Sequence, residues 1–62
     1  MSDNLNMSIR KFLKEVGVTS QKVIETAWHQ ANIPNGSKIE AKMVLTINDL
    51  NVEHTVKGKI GS

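Results

Sequence analysis

Any chemistry done by this chain must come from a short stock of side chains. It has two histidines, His29 and His54, six acidic residues, several serines and threonines, and no cysteine. Nucleophilic catalysis needs a Ser, Thr or Cys beside a base that a third group orients. Neither histidine stands at a spacing from a hydroxyl and an acid that suggests such a set. His29 follows Trp28, and His54 lies in a stretch that alternates as a strand does. Without cysteine there is no disulfide and no thiolate metal site, and two imidazoles alone do not make a structural zinc site. Gly58 and Gly61 stand apart and form no phosphate-binding loop. The expectation is a non-enzymatic protein with no catalytic residues, no cofactor and no metal.

Two features could support binding instead. Arg10, Lys11 and Lys14 form the densest cationic group. On a helix they share its outer side, where they can contact phosphate groups of nucleic acid or an acidic partner; a group of this kind is more often a solvated face. Trp28 is one of only two aromatic residues, with Phe12. Its helical spacing from Ile24 and Ala31 makes it an anchor of the core or of a dimer seam. The net charge is +2 and the pI about 9.2, but cations and anions are spread over both halves of the chain, so neither half is a basic arm.

These residues must be positioned by the elements that the apolar pattern dictates. Leu5, Ile9, Phe12, Leu13 and Val16 form one helical stripe, which predicts a helix over about 5–16. Ser2, Asp3, Asn4 and Asn6 offer N-caps, and Gly17 offers a left-handed stop. Val23, Ile24, Ala27, Trp28 and Ala31 form a second stripe, which predicts a helix over about 20–32 capped by Thr19 or Ser20. Ile33-Pro34 closes it, because the residue before proline is disfavoured in helical conformation, and Asn35-Gly36 is a turn signal. Val18-Thr19 would then be a short link, with Val18 plugging the corner. The pair has a helix-turn-helix look, although the second helix carries one Lys against one Glu and no third helix supports it.

The last third of the chain alternates with a period of two. Ile39, Ala41, Met43, Leu45 and Ile47 are apolar, and Val52, Val56 and Ile60 resume the pattern with His54 and Gly58 in phase. Strands over about 38–47 and 52–60, folded at Asn48-Asp49-Leu50-Asn51, put both apolar sets on one face. Asp-Leu is a poor two-residue hairpin turn, so a four-residue loop is expected. In this register Leu45 faces His54, Glu40 faces Lys59, and Lys42 faces Lys57 in an unfavourable like-charge pair. Ala41 opposite Gly58 leaves a shallow gap that Trp28 or Phe12 could fill.

The expected fold is therefore α+β: one domain over 1–62, with two N-terminal helices packed on a C-terminal antiparallel hairpin (ααββ). A core of this size rarely supplies more than about 3–5 kcal/mol without staples, and a lone two-stranded ribbon is marginal in water. A homodimer with a four-stranded sheet answers both problems. No run approaches the roughly 20 apolar residues that span a bilayer, and Met1-Ser2-Asp3-Asn4 lacks the layout of a secretory signal, so a soluble cytoplasmic protein is expected. The run from Asn6 to Gln21 (NMSIRKFLKEVGVTSQ) and the charged alternating strands resemble a family of very small, uncharacterised bacterial proteins. That resemblance implies a stand-alone protein and brings no functional residues. The expected role is a non-enzymatic binding or interaction module with an unidentified protein partner and no membrane contact. The alternative is a weak nucleic-acid-binding protein using Arg10, Lys11 and Lys14.

Overall fold

The computed structural model describes residues 2–61. One helix, α1 (Asp3–Ala31), is followed by β1 (Lys38–Ile47), a 3₁₀ turn (Asn48–Leu50) and β2 (Val52–Gly61). The α+β class holds, but the two expected helices are one. α1 runs without a break through Gly17, Val18 and Thr19, so the order is αββ and not ααββ, and there is no helix-turn-helix.

The phase of the apolar residues explains the continuity. Leu5, Ile9, Phe12, Val16, Ser20, Val23, Ala27 and Ala31 recur at steps of four, three and four, repeated. This 11-residue period corresponds to about 3.67 residues per turn, close to that of a straight helix. The two stripes are thus one stripe, with Ser20 in phase between them. A glycine inside a helix costs roughly 1 kcal/mol relative to alanine. Ending the helix there would strand backbone groups at two new termini and break the stripe. Thr19, expected as a cap, is used differently: its hydroxyl donates backward to the Glu15 carbonyl at 2.7 Å, a bond compatible with an unbroken helix. With no corner to plug, Val18 is 48% exposed.

The helix ends where its chemistry says it should. The Ser2 hydroxyl accepts the Leu5 amide at 3.1 Å, which satisfies one free donor of the first turn. At the other end Asn32 takes the left-handed conformation (φ 53°, ψ 51°), which asparagine tolerates better than most residues. Ile33-Pro34 and a positive-φ Gly36 (φ 85°) then carry the chain into β1.

The hairpin has the expected register throughout: Ile47 pairs with Val52, Leu45 with His54, Met43 with Val56, Ala41 with Gly58, and Ile39 with Ile60. On the other face Glu40 lies opposite Lys59, and Lys42 opposite Lys57. The connection is the four-residue loop Asn48–Asn51. Asn51 closes it at φ 52°, and its amide donates to the Asn48 carbonyl at 3.2 Å.

α1 lies along the apolar face of the hairpin. Seven of the eight half-buried residues mark this seam: Val16, Ser20, Trp28 and Ile33 on one side, Ala41, Leu45 and Ile60 on the other; the eighth, Ser37, lies in the connection. No described residue is fully buried. The molecule measures 46 × 20 × 16 Å with a radius of gyration of 15.1 Å; a compact chain of this length would have about 10.6 Å. Its accessible surface is 5774 Å², whereas a compact protein of 6.9 kDa exposes about 4,000 Å².

Beyond its chain neighbours and the backbone of its own helical turns, nothing lies within 4 Å of the position a Cβ would take at Gly17. Gly17→Ala should therefore raise the unfolding free energy by about 0.5–1 kcal/mol, measured in urea at fixed protein concentration. A loss of similar size would place Gly17 in a left-handed break. In the same assay Asn51→Val should cost about 1 kcal/mol or more, because a β-branched residue is strained at positive φ.

Candidate functional site

The apolar surface open to a ligand or partner is the concavity between α1 and the hairpin. One hollow of about 460 Å³ is lined by Thr19, Ser20, Val23 and Ile24 from the helix and by Ala41, Lys42, Met43, Val56, Lys57 and Gly58 from the strands. A second, of about 350 Å³, lies between the C-terminal part of α1 and the open end of the hairpin. It is lined by Val23, Ile24, Ala27, Trp28, Ala31, Ile33, Ile39, Ala41 and Ile60. The helical stripe and the pleat of the hairpin make both walls apolar for the same reason that they form the elements at all.

The chemistry available there is limited. The second hollow has no titratable group in its lining. The first has two lysines and two hydroxyls but no acid and no histidine, and the Thr19 hydroxyl is committed to the Glu15 carbonyl. Such a surface can hold an apolar body by burial; it contains no acid–base pair and no activated nucleophile. His54 is exposed, directly opposite Leu45, and lines neither hollow. His29 is exposed in the last turn of α1. Among the described residues no group of three or more acidic or histidine side chains gathers where a metal ion could sit. Within the same residues, no helix is long and apolar enough to cross a membrane.

Trp28 is half-buried on the wall of the second hollow. It does not fill the gap at Ala41 and Gly58. That gap opens into the first hollow, whose lining includes neither Trp28 nor Phe12, and apart from its chain neighbours nothing comes within 4 Å of a Cβ built on Gly58. Arg10, Lys11 and Lys14 do come together. With Asn4, Met7 and Ser8 they line one shallow depression on the side of α1 away from the apolar stripe.

Three residues outside the expected set shape the site. Ser20, read as a cap, is half-buried within the stripe and lines the first hollow. Thr19 lines the same wall. Ile33, read only as a helix terminator, reaches back to close the second hollow. For Ser20 the signal was its position in phase with Val16 and Val23; for Ile33 no periodic signal existed, because it lies outside both elements.

A single long helix laid along a two-stranded hairpin, with the space between them open, defines a small α+β helix–hairpin protein. The chain belongs to a family of unknown function, DUF6494, whose model matches residues 1–62. Comparison with curated proteins and with solved structures finds no match. The family is one without an assigned activity, as the sequence resemblance implied.

Trp28 is the only tryptophan and reports on this concavity directly. Its emission should move to shorter wavelength as protein concentration rises and the hollow is covered; emission that is independent of concentration would mean that its surroundings are complete in one chain. Trp28→Ala should lower the unfolding free energy by about 2 kcal/mol, roughly half the loss at a fully buried site.

Proposed function

We propose that this protein is a non-enzymatic interaction module that works as a homodimer in the cytoplasm. One observation carries the reading: fifteen large apolar side chains among the described residues are 36–69% exposed, and none is buried. Eleven of them lie on the two facing apolar surfaces: Leu5, Ile9, Phe12, Leu13, Val23 and Ile24 on α1, and Ile39, Met43, Ile47, Val52 and Val56 on the hairpin. Apolar patches of this extent mark association surfaces. Exposure exceeds that of a compact chain of the same mass by about 1,800 Å². Two copies would together hide about 3,600 Å² if the excess were removed, within the range of obligate homodimers. The lack of cysteine fits a reducing compartment.

Once the apolar side is covered, the outer face of the hairpin is the surface left for a further partner. It carries Lys38, Glu40, Lys42, Glu53, Lys57 and Lys59. Lysines 42 and 57 are directly opposed, a repulsion that an acidic partner would relieve.

The second reading, weak nucleic-acid binding, rests on the outward grouping of Arg10, Lys11 and Lys14. It no longer has a recognition helix behind it, because α1 is continuous. What supports it is the charge group alone.

Sedimentation over a concentration series tests the first reading; a dimer that dissociates only on dilution is expected, and a clean monomer at high concentration would refute it. Titration of labelled DNA and RNA at about 50 mM salt tests the second, since phosphate contacts give a steep salt dependence. The interaction-module reading expects no binding there, and Arg10→Ala with Lys14→Ala should then change nothing.

A further inference from the structure

We propose that the two copies meet along the free edge of β2, antiparallel and centred on Val56. This rests on the homodimer reading above and names its seam. Among the described residues the sheet has two strands, so one edge of β2 is unpaired by any of them, a ready template for another strand. A two-fold axis perpendicular to the sheet pairs β2 with its own copy and keeps both apolar faces on the same side. Only registers that keep the even positions of one strand opposite the even positions of the other satisfy this condition.

Among these, charge and paired length together select one. Centring on Val56 pairs 52–60 of one chain with 60–52 of the other. Val52 then faces Ile60 of the partner subunit on the apolar side, and Glu53 faces Lys59 of the partner subunit on the outer side, twice by symmetry. Centring on Lys57 sets that lysine against its own copy. Centring on Thr55 also opposes Glu53 to a lysine but shortens the paired stretch and moves Ile60 beyond the end of the partner strand. On β1 the full-length register centred on Met43 opposes Glu40 to Thr46 and Lys42 to Val44 and gains no opposite charges, and centring on Ala41 opposes Glu40 to Lys42 of the partner subunit but shortens the paired stretch to 38–44. Width agrees with this choice. Two strands span about 9.6 Å and one helix about 10 Å, so the joined hairpins carry two helices side by side. Each helix covers the flank that the other leaves open.

Within its own chain Glu53 faces uncharged Thr46, so reversing its charge acts mainly across the seam. Glu53→Lys alone should weaken dimerisation about tenfold, read by sedimentation, with a parallel loss of helical signal in far-UV circular dichroism on dilution. Lys59→Glu alone should weaken it also, in part through its own chain, where residue 59 faces Glu40, so Glu53→Lys and the mixture carry the test. An equimolar mixture of the two variants restores opposite charges at both positions and should form heterodimers. Native mass spectrometry with one variant isotope-labelled would detect them, and the helical signal should return. If the wild type is dimeric but E53K dimerises as tightly and the mixture shows no preference for heterodimers, the β2 seam is overturned while self-association stands. A wild type that stays monomeric overturns both.

Discussion

The constraint that governs this molecule is the unmet burial of one apolar stripe. Eight positions from Leu5 to Ala31 hold a single face of a 29-residue helix, and the pleat of the hairpin presents a matching face of similar length. Burial is worth about 25 cal/mol per Å² of apolar surface, but here the two faces meet only along a line. Half-buried Val16, Trp28, Ala41, Leu45 and Ile60 mark that line, and the remaining apolar side chains flank it in the open. A helix and a two-stranded ribbon are each too narrow to wrap the other. In the homodimer proposed above, a second copy of the chain would supply the missing surface.

The helix illustrates how a weak local signal yields to a long-range one. Gly17 carries an intrinsic preference against helix interiors, and Thr19-Ser20 resembles a helix start. Both preferences are of order 1 kcal/mol. A break would leave unpaired amides and carbonyls at two new ends and throw the second half of the stripe out of alignment with the hairpin. The hydroxyl of Thr19 shows the outcome at atomic level: it turns back to the Glu15 carbonyl instead of capping forward.

Much of this was legible in the residues themselves. The hairpin, its register and its loop follow from the period-two alternation and the poor fit of Asp-Leu to a two-residue turn. Every strand pair from Ile39–Ile60 to Ile47–Val52 stands as the pattern requires. The division into two helices is incorrect, because phase outweighs the punctuation at Gly17: the step from Val16 through Ser20 to Val23 is unbroken helical spacing. The site was less legible. The spacing of Trp28 places it on the apolar side of the helix, where it lines the second hollow, and Arg10, Lys11 and Lys14 form one outward group. The hollows were not legible, since they arise from how far the helix stands from the sheet. Ile33 contributes from a connecting segment where no periodicity operates.

If the chain completes its core only by association, its stability must depend on its own concentration. Thermal unfolding followed by far-UV circular dichroism over a hundredfold range of protein concentration tests this directly. The account predicts a midpoint that climbs steadily with concentration. A midpoint that stays constant across the range would show that one chain is stable by itself, and would contradict it.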